Sequence, residues 1–181
     1  MTTWSKVSWA DAGQVLKLIN PKTPVPADAD TTPDAYCRTL VGRGDLAAAV
    51  RFIGAALPRY EAIVWATQVL RTRWGKGRTD AIVAATLQWV DDPTDARRRT
   101  IYARAQDDDD SPAGLLGMAV FYSGGSISAP DLPAILPPAQ VCGVLASGAV
   151  TNAAYSQPDS DAVLREAVRL GEAVASQREL A

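Results

Sequence analysis

The stretch from Leu57 to Trp74, which reads Leu-Pro-Arg-Tyr-Glu-Ala-Ile-Val-Trp-Ala-Thr-Gln-Val-Leu-Arg-Thr-Arg-Trp, sets the strongest limit on how this chain can fold. Pro58 suits the first turn of a helix, where a backbone N–H is not needed, and neither glycine nor proline returns before Gly75. On a helical period Tyr60, Ile63, Thr67, Leu70 and Trp74 form one largely apolar face, and Trp65 with Val69 forms a second. A helix that is apolar on two sides needs neighbours on two sides. The spacing therefore predicts a central helix in an all-α domain, with Trp65, Leu70 and Trp74 in the core. Glu61 falls in its first turn, where a carboxylate meets unsatisfied N–H groups and the positive end of the helix dipole.

Further helices are punctuated by glycine, proline and aspartate. Ser8, with Asp11 three residues on, reads as the cap of a short helix carrying Trp9, Ala12, Leu16 and Ile19 and ended by Asn20-Pro21. Residues 1–20 are thus an arm with a short helix, 21–33 a proline-containing linker, and 34–181 a single helical domain. In that domain Thr32-Pro33-Asp34 opens a helix that stops at Gly42. Gly44-Asp45 opens the next, with Leu46, Ala49, Val50 and Ile53 facing inward, and the turn before Pro58 completes an αα-hairpin. Gly75-Lys76-Gly77 breaks the central helix, and Thr79 to Val90 follows with Ile82, Thr86 and the core residue Trp89 on one stripe. A peripheral helix from Thr94 to Ala105 should turn Ile101 and Ala105 inward and leave Arg97, Arg98 and Arg104 in solvent. After Asp107–Asp110, Ser111 caps and Pro112 opens an apolar helix. Ala129 to Pro138 should run extended across the helices, anchored by Leu132, Ile135 and Leu136. Helices from Ala139 to Ala154 and from Asp159 or Asp161 complete a compact bundle of about seven or eight.

Composition narrows the chemistry. The 181 residues include no histidine, which removes the commonest general base near neutral pH and the commonest metal ligand. Triads and zinc sites built on histidine are excluded, and no metal or cofactor is expected. With 18 basic and 20 acidic residues, the net charge of -2 gives no electrostatic reason to expect nucleic acid. The densest basic cluster, Arg97-Arg98-Arg99, reads as a solvated helix end offset by the aspartates at 107–110. That aspartate run lacks the alternating oxygen ligands, central glycine and closing glutamate of a calcium loop. Cys37 and Cys142 lie far apart in apolar surroundings and read as buried free thiols. No apolar run reaches the roughly 20 residues of a membrane span, and no secretory signal is evident, so a cytoplasmic protein is expected.

The best candidate for a specific surface is Phe121-Tyr122-Ser123-Gly124-Gly125-Ser126. Consecutive glycines let backbone N–H groups point outward to hold an anion, and equally let a helix stop and the chain turn. The order is not that of a nucleophile elbow. The candidate binding residues are Arg59 and Glu61 in the first turn of the central helix, Tyr122, Ser123, Gly124, Gly125 and Ser126 in the turn, and Leu132 in the extended segment.

Three features together resemble a bacterial domain-of-unknown-function family: Leu57 to Ala66, Tyr122 to Ser126 with Asp131-Leu132-Pro133 and Pro137-Pro138 after it, and the small-residue helix through Ala149-Val150. The resemblance runs from about Asp45 to Ala154, and it departs from the family pattern at Val64-Trp65, where two aromatic residues are usual. It implies an association with contractile, type VI secretion genes and carries no activity, cofactor or catalytic residue. The expected role is binding of another protein, as an adaptor, chaperone or accessory component. One alternative is a hydrolase using carboxylates without histidine, with Glu61 and an aspartate of 107–110 as its pair. Another is a self-assembling component, with Trp4 and Trp9 of the arm inserting into a second copy.

Overall fold

Short polar side chains decide where the helices begin. In the computed structural model, which describes residues 3–73 and 80–177, Asp11 caps α1 (Ala12–Ile19) by accepting the Gln14 N–H at 2.9 Å. The expected cap at Ser8 is displaced because the Gln14 side chain reaches back to the Ala10 N–H at 3.0 Å, so Trp9 lies outside the helix. Pro33 opens α2 (Pro33–Gly42), Asp45 caps α3 (Leu46–Ala56), and Pro58 precedes α4 (Arg59–Arg73). Asp80, Thr94, Ser111 and Asp159 cap α5 (Ala81–Asp91), α6 (Asp95–Ala105), α7 (Pro112–Phe121) and α9 (Ser160–Ala175) in the same way. The helix α8 (Val141–Tyr155) begins just after Pro137-Pro138. The fold is all-α: nine α-helices and no strand among the described residues, one or two helices more than the sequence suggested. None of these helices is long and apolar enough to cross a membrane.

α4 is central, as its two apolar faces require, and α8 shares the position. α4 packs against α5, α7, α8 and α9, and α8 against α3, α4, α7 and α9. Trp65 and Leu70 are fully buried, and the Trp65 indole N–H donates to the Ala167 carbonyl of α9 at 2.8 Å. Trp89 is buried too, whereas Trp74 and the Gly75-Lys76-Gly77 break lie outside the described residues. Tyr60 departs from the expected inward face. Its ring is exposed because its hydroxyl donates to the Val90 carbonyl at the end of α5, 2.8 Å away.

Missing side chains bring the layers together. Gly54 of α3 faces Gly143 of α8, and a Cβ on Gly54 would lie 2.7 Å from the Gly143 carbonyl oxygen, while one on Gly143 would run into the Gly54 carbonyl. At Gly117 of α7 a Cβ would come within 2.8 Å of Ala105 and 2.9 Å of Ile82. The apolar side chains of α5 and α6 occupy that space instead.

The arm lies on its own chain. Trp4 is buried, with its ring 6.4 Å from that of Phe52, and the Lys6 N–H donates to the Ala175 carbonyl at 2.9 Å. Trp9 is partly buried against the same core, and the Ala12 N–H donates to Thr31 in the linker at 2.8 Å. Cys37 and Cys142 are free and buried, and burial pushes each thiol up to about 12.

Two glycines of α8 should respond oppositely to alanine. Gly143→Ala forces α3 and α8 apart and should cost about 1–3 kcal/mol. At Gly148 a Cβ would meet only the Leu115 side chain at 4.0 Å, so Gly148→Ala should be neutral or stabilise by about 0.5–1 kcal/mol. Urea unfolding midpoints that move equally for both would contradict the close crossing.

Candidate binding surface

Arg98, expected in solvent, is only 3 % exposed. α7 ends at Phe121 and leaves carbonyls that its own backbone cannot pair. The Arg98 guanidinium supplies donors to them: it bonds the Phe121 carbonyl, the Ser126 carbonyl at 2.8 Å, and Asp95 Oδ1 through Nε at 3.0 Å. Arg99 extends the grip to Asp95 Oδ2 at 2.8 Å, Ser126 O at 3.0 Å and Ser128 O at 3.1 Å. The Arg98 guanidinium also lies 4.7 Å from the centre of the Phe121 ring, on whose plane Tyr102 stacks at 3.9 Å. The arginine cluster is therefore a clamp and not a solvated helix end. Arg97, the outermost of the three, is half-exposed and bonds Asp92 and the end of α5. Asp95 is the acid that offsets the clamp, in place of the 107–110 run. Hydrogen bonds from Arg99 and Arg98 hold its carboxyl below the ordinary 3.8.

The turn after α7 fits around this clamp. Gly125 has φ +67°, a left-handed conformation that favours glycine, and a Cβ there would sit 3.0 Å from Arg98 Nη2. Ser126 then ties the following segment into a loop. Its hydroxyl accepts the N–H groups of Ser128 at 3.2 Å and Ile135 at 3.1 Å. Ser128 Oγ gives its proton to the Pro133 carbonyl at 2.7 Å, so Ser126 Oγ is the donor in the 2.7 Å bond between the two hydroxyls. The Ile127 N–H donates to Ile135 O at 2.8 Å, and Arg59 of α4 reaches the Pro137 carbonyl at 3.4 Å. Residues 126–138 thus form a strap pinned through its polar groups at both ends.

That pinning reverses an expectation. Leu132, Ile135 and Leu136 do not anchor the strap; they are 59 %, 57 % and 74 % exposed. With the backbone held by arginine and serine, the apolar side chains of this segment point outward. They are three of the six large hydrophobic residues exposed among the described residues.

The expected binding residues are distributed as follows. Arg59 meets the far end of the strap, and Tyr60 beside it shares a cavity of about 340 Å³ with Ser123, Gly124 and Gly125 of the turn. Tyr122 caps the C-terminus of α7 and packs edge-on against Phe121 at 5.4 Å. Ser123 Oγ donates to Val120 O at 2.7 Å. Ser126 spends its hydroxyl within the strap and its carbonyl on Arg98 and Arg99, and the Leu132 side chain points outward. Glu61 is engaged elsewhere, in an ion pair with Lys6 of the arm at 3.3 Å.

The aspartate run is distant from Glu61. Asp110 is held by Asn152 near the end of α8, at 2.8 Å, whereas the Arg59 carbonyl meets Cys142 at its start. Ten positions, Cys142 to Asn152, separate these contacts, or about 15 Å along the helix axis. Among the described residues no group of three or more His, Cys, Asp or Glu side chains could hold a metal ion. Asp95, Arg98 and Arg99 were absent from the sequence-based site. Their signal was the spacing: an aspartate three and four residues ahead of two arginines, directly after the Thr94 cap.

Residues 36–175 match a family of unknown function (DUF6931), and the chain belongs to that family. The matched span takes in the clamp, the turn, the strap and Arg59. No curated protein and no solved structure matches the chain.

Arg98→Met should leave the Phe121 and Ser126 carbonyls short of a donor, cost about 1–3 kcal/mol and open the 126–138 strap to thermolysin. An unchanged cleavage pattern would contradict the clamp. Because the folded Asp95 carboxyl titrates below its unfolded value of 3.8, its contribution is full above that pH and is lost as the pH falls through the folded value. The melting temperature should therefore fall less steeply below pH 3.8 in Asp95→Asn than in the native chain. Parallel curves would refute this assignment.

Proposed function

We propose that the protein is a protein-binding accessory component, an adaptor or chaperone, that engages another protein through the outward face of its strap. The observation that carries this reading is the exposure of Leu132, Ile135 and Leu136 on a backbone already fixed by Arg98, Arg99, Ser126 and Arg59. Ordering a loop on binding is costly, and here that ordering is done in advance. Burying the three side chains gains about 25 cal/mol for each Å² of apolar surface removed from water. A component of a type VI secretion system is the partner class that the family resemblance implies, and a cytoplasmic location belongs to the same proposal. Two alternatives have less in their favour: Glu61 is engaged by Lys6, and Trp4 is buried in its own chain.

The combined variant Leu132→Ser, Ile135→Ser, Leu136→Ser tests this directly. Solvent-facing changes should leave stability within about 0.5 kcal/mol of the native chain. Cross-linking in the native cells should capture a stoichiometric protein with the native chain and lose it with the variant. Equal capture by both would place the contact elsewhere.

A further inference from the structure

The strap spends its backbone on one side only. Residues 133–138 contain neither helix nor turn, and in an extended chain the N–H and C=O groups of successive residues point to opposite edges. The bonds to the rest of the protein follow that alternation. The Pro133 carbonyl accepts the Ser128 hydroxyl at 2.7 Å, Ile135 accepts the Ile127 N–H at 2.8 Å and donates its own to Ser126 Oγ at 3.1 Å, and the Pro137 carbonyl accepts from Arg59 at 3.4 Å. Residues 133, 135 and 137 therefore face inward. Ala134 and Leu136 between them are exposed, and their N–H and C=O groups have no hydrogen-bond partner among the described residues.

Open backbone groups two residues apart make a strand edge, and such an edge is a template for another strand. This one is short. On one side the Leu132 N–H is already bonded to the Ala129 carbonyl at 3.0 Å; on the other, Pro138 has no N–H, and its carbonyl accepts from Val141 at 3.3 Å. Pro133 and Pro137 take nothing from the open edge, because their nitrogens lie on the inner side. Both donors and both acceptors of Ala134 and Leu136 thus remain for a strand laid alongside.

The length of the edge selects its occupant. A longer strand from another protein would leave its own groups unpaired beyond Ala134 and Leu136, whereas a second copy of this chain brings an edge of equal length. We propose that two copies pair strap to strap, antiparallel about Ile135, in a two-fold symmetric dimer. Ala134 of each copy faces Leu136 of the other and exchanges both N–H···O bonds with it, so every open group is met. A small side chain then stands opposite a large one, and the two Ile135 side chains meet at the axis. So short an edge buries far less than the roughly 1,200 Å² of a stable complex, and the pairing is weak and concentration-dependent. Copies held together by a common partner pair at a much higher effective concentration. The inference goes beyond the protein-binding reading above, since it concerns the backbone edge of the strap.

The test follows the purified full chain from about 20 μM to about 1 mM, the range in which so small an interface associates. Its mass by sedimentation should rise from 19.2 kDa toward that of the dimer. Over the same range the ¹⁵N-labelled amide signals of Ala134 and Leu136 should move downfield, while that of Ile135, already bonded, stays in place. Ala134→Pro removes one donor from each strand, hence two bonds from the dimer, and should weaken association at least about tenfold. Leu136→Pro repeats the test at the other pair, and an unchanged Ile135 amide signal in either variant reports an intact strap. Ala134→Ser keeps the donor and should pair like the native chain. A monomer at every concentration, a dimer in which the Ala134 and Leu136 signals do not move, undiminished pairing in both proline variants, or equal loss in Ala134→Ser would each overturn the proposal. No other protein enters these readings, and Ala134→Pro leaves Leu132, Ile135 and Leu136 in place. Self-pairing and partner capture through the strap can therefore fail independently of one another.

Discussion

The buried guanidinium of Arg98 is the interaction on which the turn after α7 and the start of the strap depend. A charge enclosed by protein is costly to desolvate and persists only when its hydrogen bonds are met. Here three partners meet them: the last residue of α7, the carbonyl of Ser126 and the carboxylate of Asp95. Arginine suits this place because its planar fork delivers several donors at fixed angles, which a lysine ammonium does not. One side chain thereby ends a helix, sets the turn at Gly125 and fixes the start of the strap. The outward placement of Leu132, Ile135 and Leu136 follows, since a segment held through its backbone need not bury its side chains.

The helical frame gives that clamp something rigid to act from. α4 and α8 lie at the centre, and the facing glycines 54 and 143 let α3 and α8 approach more closely than any side chain would permit. α4 contributes Arg59 and Tyr60 to the surface from its first turn, while Ile63, Trp65, Val69 and Leu70 further along it are buried. Core and site are thus two ends of one helix, and a change in core packing would shift Arg59 and Tyr60 relative to α6. The arm is held by Trp4, Lys6 and its own cap, and it takes up Glu61.

The scaffold was legible from sequence because it rests on local rules. Periodicity in Leu57 to Trp74 identified the central helix, and prolines and aspartates marked most helix starts to within a residue or two. Ser8 was misread because two residues compete for one cap, and only the reach of the Gln14 side chain decides for Asp11. The candidate site was half legible. Glycine pairs and prolines pointed to the turn and the strap, and Arg59, Tyr122 and Ser126 were singled out with them. Arg98 was not, because its surroundings come from residues 23 and 28 positions away, and no helical pattern reports the end of another helix. The outward turn of the strap was missed for the same reason. Apolar residues between prolines suggest burial until the polar partners that hold the backbone are known.

Amide hydrogen exchange of the native chain in isolation tests most directly whether the strap is fixed by the chain's own contacts. The N–H groups of Ile127 and Ile135 are bonded within the strap, to Ile135 O and Ser126 Oγ, and they should exchange distinctly more slowly than in an unstructured peptide. Exchange of both at the unstructured rate, with the helices still protected, would contradict a strap pre-ordered by the arginine clamp.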